Sequence, residues 1–224
     1  MYKTIRTDKT YINYYSAKME IGAECLPIME EFYSLQGEGY NTGVAAYFVR
    51  VGGCNVGCYF CDVKEAWDAT KHSLTPIHDI VERAKRVPAK TVVVTGGEPM
   101  LYNMDSLCNQ MKQNGIRALL ETSGTATLSG NWDWICLSPK ENKAALPEYY
   151  AVANELKMVV CHKDDFERAE YHANKVAEVN PDCKLFLQPE WGMQKQLAPL
   201  IVEYIKQNPK WRISQQIHKY IDIR

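Results

Sequence analysis

No apolar run in the chain approaches the roughly 18 residues that a membrane-spanning helix needs. Residues 1 to 20 hold no apolar stretch of the kind that opens a secretory leader. Charge of one sign is missing too: 26 Lys and Arg stand against 27 Asp and Glu, a net charge of -1. So even a balance argues against a protein that lives on nucleic acid or on an anionic membrane, which clustered Lys and Arg would meet. Internal repeats, low-complexity tracts and Pro/Gly-rich linkers are also absent, and nothing marks a second domain. Together these absences predict a soluble cytoplasmic protein. Its 224 residues, 46% hydrophobic and 24% charged, have ordinary globular composition. A chain of this length buries about 70% of its surface on folding, so neither disulfides nor metals are needed to hold it together.

Eight cysteines are present, at 25, 54, 58, 61, 108, 136, 161 and 183. In a reducing compartment such a set is not a disulfide framework. Cys25, Cys108, Cys136, Cys161 and Cys183 are isolated and are expected as small buried hydrophobes. The other three form Cys54-Asn-Val-Gly-Cys58-Tyr-Phe-Cys61. Three thiolates at this spacing can hold three irons of a 4Fe-4S cluster while the fourth iron stays open to an outside ligand. The competing reading is a zinc knob, with Cys58 and Cys61 as one half and a residue such as His72 closing the tetrahedron. No second C-x2-C or H-x3-H half exists to complete it, and the Trp-Cys-Gly-Pro context of a thioredoxin-like pair is missing.

From residue 44 onward, short β-branched runs alternate with helical patterns. Strands are expected at 45–51, 91–95, 116–122, 134–138, 156–161, 183–188 and 211–218, short and apolar as buried parallel strands are. The best-signalled helix follows Thr75 as cap and Pro76 as first helical residue, with Ile77, Ile80, Val81, Ala84 and Val87 on one face. Others are expected at about 103–114, stopped by Gly115, and at roughly 147–155, 165–179 and 193–207. This is the pattern of one α/β domain with a parallel sheet. Polar or glycine-rich segments follow six of the strands, among them Gly96-Gly97-Glu98-Pro99, Glu121-Thr122-Ser123, Ser138-Pro139-Lys140 and Gln216-Ile217-His218-Lys219. The carboxyl ends of parallel strands share one face, where ligands bind. Tyr2, Tyr11, Tyr14 and Tyr15 precede this frame without periodicity and suggest no role.

Phe60, immediately before the third cysteine, and Gly96-Gly97-Glu98-Pro99 give the chain a pattern that resembles the radical S-adenosylmethionine (SAM) superfamily. The resemblance implies a partial (β/α) barrel, over residues 29–224, behind an N-terminal extension of residues 1–28. It also implies a 4Fe-4S cluster on Cys54, Cys58 and Cys61 whose open iron binds the amino and carboxylate groups of SAM. An electron from the cluster then splits SAM into methionine and a 5'-deoxyadenosyl radical. Carried onto this sequence, Phe60, Asp62 and Gly97 line SAM, and Ser123, Ser138, Pro139, Lys140 and Gln188 continue that lining. Adjacent glycines at 96 and 97 let the backbone come close to the methionyl amino group, and Glu98 offers a carboxylate nearby.

Phe32-Tyr33-Ser34-Leu35-Gln36-Gly37-Glu38-Gly39, the strand end Phe48 to Asn55 and Gln216 to Lys219 are similar to the 7-carboxy-7-deazaguanine synthase family. Members convert 6-carboxy-5,6,7,8-tetrahydropterin to 7-carboxy-7-deazaguanine, a carbon–nitrogen lyase step of queuosine and deazapurine biosynthesis that loses ammonia. The likeness implies a homodimer and an external electron donor such as flavodoxin, with no direct contact to nucleic acid or membrane. Arg50 offers a planar fork to the pterin carboxylate. Gln36 and Glu38 suit the donor and acceptor edge of a pterin, flanked by Leu35 and Gly37. By the same resemblance Thr95 and the C-terminal carboxylate, here on Arg224, reach the substrate. His218 reads either as a general acid or base in the loss of ammonia or as a structural histidine at the barrel seam. His72, His78, His162 and His172 read as solvated.

Two positions depart from the family pattern. A Thr or Ser whose hydroxyl binds Mg²⁺ is common after Cys-Asp; here Val63 follows Cys61-Asp62, and an isopropyl group cannot ligate a hard cation. Either Mg²⁺ is absent, with Arg50 and a Lys taking the carboxylate, or it is held by Asp62, backbone carbonyls and waters. The second departure is Ile217, where a Thr is common. Two rival functions are a glycyl-radical enzyme activase and a non-catalytic iron-sulfur binding module. The first needs an open face for a protein loop, and the second normally fills all four iron positions with protein ligands.

Overall fold

A computed structural model describes residues 20–224. The four early tyrosines and most of the 1–28 extension lie outside the described residues. The elements in chain order are β1 (Cys25–Leu35), β2 (Ala45–Val51), β3 (Ser73–Pro76), α1 (Ile77–Lys85), β4 (Thr91–Gly96), α2 (Asp105–Gln113), β5 (Arg117–Thr122) and β6 (Trp134–Leu137). They continue with α3 (Glu148–Val152), β7 (Glu155–Val160), α4 (Asp165–Val179), β8 (Lys184–Pro189), α5 (Gln194–Gln207), β9 (Trp211–Ile213) and α6 (Ile217–Tyr220). The strands form one sheet in the order β3-β1-β2-β4-β5-β6-β7-β8-β9. From β2 to β9 every pairing is parallel, whereas β1 pairs antiparallel with both β2 and β3. The fold is the expected α/β partial barrel, with an antiparallel edge that the sequence reading did not anticipate.

Alternation along the strands gives each a helix-facing and an inward-facing side. Val49, Val51, Val92, Val94 and Leu120 pack in one core with Ile80, Val81 and Ala84 of α1 and with Leu107, Cys108 and Met111 of α2. On the inward face Phe48, Val93 and Leu119 form a second, smaller apolar cluster with Phe32 and Trp134. Two residues further along the same strands the inward face turns polar, at Arg50, Thr95 and Glu121. Its apolar floor and polar rim are thus written in the strands at a spacing of two.

Four sequence expectations change. Thr75 and Pro76 belong to β3 and not to the helix; the first helical N–H, on Ile77, donates instead to the carbonyl of Glu24 at 2.9 Å, so no side-chain cap is required. Expected as one strand, residues 211–218 divide into β9 and the short α6, which puts Gln216 to Lys219 on a helical turn. His172 is buried, not solvated: it lies on the apolar face of α4 and its Nδ1 meets the Tyr150 hydroxyl at 2.8 Å. Cys161 is only half-buried, unlike the other four isolated cysteines.

The edge strands β3 and β9 do not pair with each other, so strand pairing leaves a seam. The C-terminal segment fills it: Gly39 N donates to Ser214 Oγ at 2.9 Å, Ile217 N donates to the Gly37 carbonyl at 3.0 Å, and Ser34 Oγ donates to the Arg224 carbonyl at 2.5 Å. Ile217 thus acts through its backbone N–H, which any residue type but proline would supply.

The 28/29 boundary falls inside β1. Residues 25–28 pair with β3, and Cys25 and Leu26 are fully buried. Burying one Leu side chain contributes about 1.5–3 kcal/mol. A chain beginning at residue 29 is therefore expected to unfold at a clearly lower temperature than one beginning at residue 20, as followed by circular dichroism; equal midpoints would show the segment to be dispensable.

Candidate active site at the carboxyl ends of the strands

Two adjoining cavities open at the carboxyl ends of the parallel strands. One, of about 230 Å³, is lined by Cys54, Cys58, Phe60, Cys61, Gly97, Ser123, Ser138, Lys140 and Gln188. The other, of about 350 Å³, is lined by Leu35, Gln36, Gly37, Arg50, His218 and Arg224. Glu38, Asp62, Val63, Thr95, Glu121 and Gln216 line both and form the partition between them. Of the residues expected around SAM, Phe60, Gly97, Ser123, Ser138, Lys140 and Gln188 line the first cavity alone, and of those expected around the substrate, Leu35, Gln36, Gly37, Arg50 and Arg224 line the second alone. Glu98 and Pro139 line neither.

The cysteine loop leaves β2 through Gly52 and Gly53 and is pinned on several sides. Gly53 N donates to the Ala66 carbonyl at 2.6 Å and Cys54 N to the Trp67 carbonyl at 3.2 Å. Thr125 Oγ1 donates to Asn55 Oδ1 at 2.9 Å, and Asn142 Nδ2 to the Gly57 carbonyl at 3.1 Å. Among the described residues, Glu121, Cys136 and Glu155 are the one group of metal-ligating side chains whose ligand atoms all lie within 4.8 Å of one another. The cysteine triad is more widely spaced than that. Sulfurs around one tetrahedral zinc sit closer, roughly 3.8 Å apart for Zn–S bonds of about 2.3 Å, whereas a cubane spreads its ligands over separate irons. His72, the candidate fourth zinc ligand, instead has its Nε2 2.9 Å from the Glu65 carbonyl. The donor set fits a cluster and not a zinc knob.

Gly96 and Gly97 serve packing as well as ligand approach. Gly96 has φ +136°, and a Cβ at either position would strike the backbone at the end of β2, at Val51 or Gly53. Here β4 and β2 touch backbone to backbone, with Gly97 N donating to the Val51 carbonyl at 3.0 Å and Glu98 N to the Gly53 carbonyl at 2.8 Å. Glu98 is 1% exposed. Its carboxylate accepts from Met100 N at 3.0 Å, Thr122 Oγ1 at 2.6 Å, Ser123 N at 2.8 Å and the Ser123 hydroxyl. A carboxylate so fully engaged orients Ser123 and has no lone pair turned to a cofactor. The sequence reading of Glu98 as a direct ligand thus gives way to a positioning role.

Lys157, in the middle of β7, is the charged residue the sequence reading missed. Its Nζ donates to Glu38 Oε2 at 2.7 Å and Glu121 Oε2 at 2.9 Å, and its side chain is 5% exposed. Burial opposes its charge, but Cys136, Glu121 and Glu38 around it more than reverse that, and it stays an ammonium. Burial likewise opposes ionisation of Glu38; Lys157 and the amide of Gln216, at 2.8 Å, outweigh it and hold that carboxyl at about 2. Gln36 donates to Glu121 Oε1 at 3.0 Å, so Gln36 and Glu38 point inward and not to solvent. Burial pushes His218 below its ordinary 6.5, so the imidazole is neutral at pH 7. It packs so tightly on Gly37 that a Cβ there would strike the ring. Arg50 Nε donates to Glu30 Oε1 at 2.7 Å, directly across the β1–β2 pair. The only signal for Lys157 was a lysine inside the otherwise apolar run 156–161 expected as a parallel strand.

A partial parallel barrel with three unbridged cysteines at one end of a two-chambered mouth defines a radical SAM protein, and residues 48–179 match the Radical SAM superfamily model. The chain is 52% identical over 200 residues to the 7-carboxy-7-deazaguanine synthase of Flavobacterium psychrophilum, covering 89% of this chain and 93% of that protein. With the Synechocystis protein of the same name it shares 42% over 198 residues, covering 88% and 93%. The crystal structure of QueE from Escherichia coli superposes with a TM-score of 0.78 and 28% identity, over 94% of this chain and 99% of that one. Streptococcus suis SuiB shares the fold alone, at 15% identity and a TM-score of 0.54 over 71% of this chain and 46% of that one. This chain belongs to the 7-carboxy-7-deazaguanine synthase family.

Removing the Lys157 ammonium while leaving Glu38 and Glu121 half-buried on the cavity wall strands two like charges. Lys157→Met is expected to lose about 3–5 kcal/mol of stability in urea unfolding, and a loss under 1 kcal/mol would contradict the role given to the ammonium. The depressed carboxyl of Glu38 sets a pH dependence: its contribution is complete above its ordinary 4.5 and is lost as pH falls toward about 2. Glu38→Gln should therefore flatten the acid limb of the stability curve below pH 4.5, a change readable from thermal midpoints across that range.

Proposed function

We propose that the protein converts 6-carboxy-5,6,7,8-tetrahydropterin to 7-carboxy-7-deazaguanine with release of ammonia, a lyase reaction of queuosine or deazapurine biosynthesis. The observation that carries this is the pair of adjoining cavities, one ending in the cysteine triad and the other lined by Gln36, Arg50 and His218. When bound on Cys54, Cys58 and Cys61, a 4Fe-4S cluster supplies the electron that splits SAM and so initiates hydrogen abstraction from the substrate.

The chain's own residues bind, orient and exclude. Ser138 Oγ accepts from Lys140 Nζ at 2.5 Å, which fixes both at the wall of the first cavity. Phe60, Gly97, Ser123 and Gln188 complete the surface against which SAM lies. In the second cavity Gln36 and Glu38, locked by Lys157 and Glu121, present fixed polar atoms to the pterin edge, and Arg50 faces the carboxylate end. Thr95 and Glu121, on the partition, lie where the two ligands meet. Neutral His218 can accept a proton as ammonia leaves, and Arg224 lines the same cavity. The activase reading is disfavoured by Gln36, Glu38 and Arg50 in the second cavity, which suit a small polar ligand, and the binding-module reading by a triad without a fourth cysteine. No helix among the described residues is long and apolar enough to cross a membrane. The setting proposed is a cytoplasmic homodimer that takes electrons from a carrier such as flavodoxin.

Anaerobic turnover of the cluster-reconstituted protein with reductant, SAM and the tetrahydropterin is expected to yield 7-carboxy-7-deazaguanine by mass spectrometry, with SAM persisting over many cycles. Cys58→Ala should abolish both the cluster absorbance and turnover. Formation of 5'-deoxyadenosine without the deazaguanine would refute the substrate while keeping the radical chemistry.

A further inference from the structure

Against the partition, in the larger cavity, stands a cation that no residue pattern assigned. Lys219, on α6, donates from Nζ to Asp62 Oδ2 at 2.7 Å and to Gln216 Oε1 at 3.1 Å. Gln216 Nε2 donates to the same Asp62 oxygen at 3.0 Å. The ammonium also stands 5.0 Å over the ring centroid of Trp191. Its side chain is 21% exposed and lines the larger cavity, so this is no free surface lysine. Other cations in that cavity are differently placed: Arg50 is bound to Glu30, and the Arg224 side chain is 72% exposed. An ammonium has three N–H donors, and Lys219 spends two on Asp62 and Gln216.

A Mg²⁺ ion does not fit these residues. It takes oxygen ligands in a near-octahedral shell at about 2.0–2.1 Å. Val63 offers no oxygen side chain, and the Asp62 oxygen facing the partition already holds an ammonium and an amide. A divalent ion on that oxygen would lie directly against the positive charge of Lys219.

We propose that Lys219 takes the place of a divalent cation in this protein, its third N–H holding the carboxylate of the substrate, so that substrate binding needs no Mg²⁺. This rests on the pterin reading above. α6 suits the task because it is anchored by its own backbone, with Ile217 N on the Gly37 carbonyl and Lys219 N on the Gln216 carbonyl at 3.0 Å each. The hydrogen bond to Asp62 then aims a flexible side chain that would otherwise be solvated.

The test is calorimetric binding to the cluster-reconstituted, SAM-loaded protein of 6-carboxypterin, an unreactive probe, and of pterin lacking the carboxylate, each in EDTA and in excess Mg²⁺. Wild-type affinity for 6-carboxypterin should be the same within about twofold in both buffers. Lys219→Ala should weaken that probe by about tenfold or more, as loss of a charge-assisted hydrogen bond does, and leave the decarboxylated probe unchanged. Lys219→Arg should restore part of the loss. Tightening of the wild-type complex by Mg²⁺ of more than about tenfold would overturn the proposal without needing any variant to fold. So would an equal loss for both probes in Lys219→Ala, which marks a purely structural lysine. Failure of either pterin to bind the wild-type protein would instead overturn the functional reading, and this inference with it.

Discussion

The ammonium of Lys157 is the interaction on which the mouth of the barrel depends. It comes from the middle of β7, where a parallel strand should be apolar, and holds two carboxylates that arrive from different places: Glu121 from β5 and Glu38 from the loop after β1. Without it, those two half-buried acids would face each other on the cavity wall, where like charges are costly. With it, the loop from Gln36 to Gly39 folds inward over the sheet and delivers its polar groups to the cavity. Glu38 in turn receives Gln216, and Gln216 reaches Asp62 beside the cysteine loop. One buried cation thus connects the loop after β1, the rim of the sheet, the C-terminal segment and the cluster loop. Electrostatic preorganisation of this kind lets polar atoms stand ready for a ligand without reorganising when it binds.

Close approach of backbone to backbone is the second constraint. At Gly96 and Gly97 the end of β4 presses on the end of β2, and at Gly37 the loop backbone presses instead on the side chain of His218. Each contact leaves no room for a Cβ, so side chains have been removed where segments from distant parts of the chain must meet. Closing the seam works the same way, with backbone donors of residues 39 and 217 doing what a further strand pair would do in a complete barrel. That explains how a short chain encloses a two-chambered site without eight full βα units.

Local signals in the sequence carried the parallel part of the fold: β-branched runs, a glycine stop after α2, and glycine and proline after strand ends. The cysteine triad was legible because metal ligation needs thiolates at a fixed spacing. β1 was not, because Pro27 and the acidic pair Glu30-Glu31 break its alternation, and only pairing with β2 and β3 holds it extended. The cap of α1 was misread because a tertiary donor–acceptor pair, Ile77 to Glu24, does what Thr75 promised to do locally. The roles of Glu98 and Lys157 were out of reach for the same reason. A lone carboxylate or lysine in a sequence carries no mark of its partners, and here, Met100 beside Glu98 apart, those partners lie 24 to 119 residues away.

Asp62 shows how one substitution redistributes a site. With an oxygen ligand at position 63, its carboxylate would be half of a cation site, and a nearby lysine would compete with the ion. With Val63 there, that side-chain ligand is missing, and the partner the carboxylate has is a protein cation, Lys219. Lys219 is brought within reach because α6, unlike the strand expected from the sequence, turns the segment after Gln216 back across the cavity. Positive charge at the partition is kept while its carrier changes from a diffusible ion to a side chain, and its position is then set by folding and not by the metal supply. The ammonium meets the anion with its remaining N–H, where Mg²⁺ would meet it through one position of an octahedral shell.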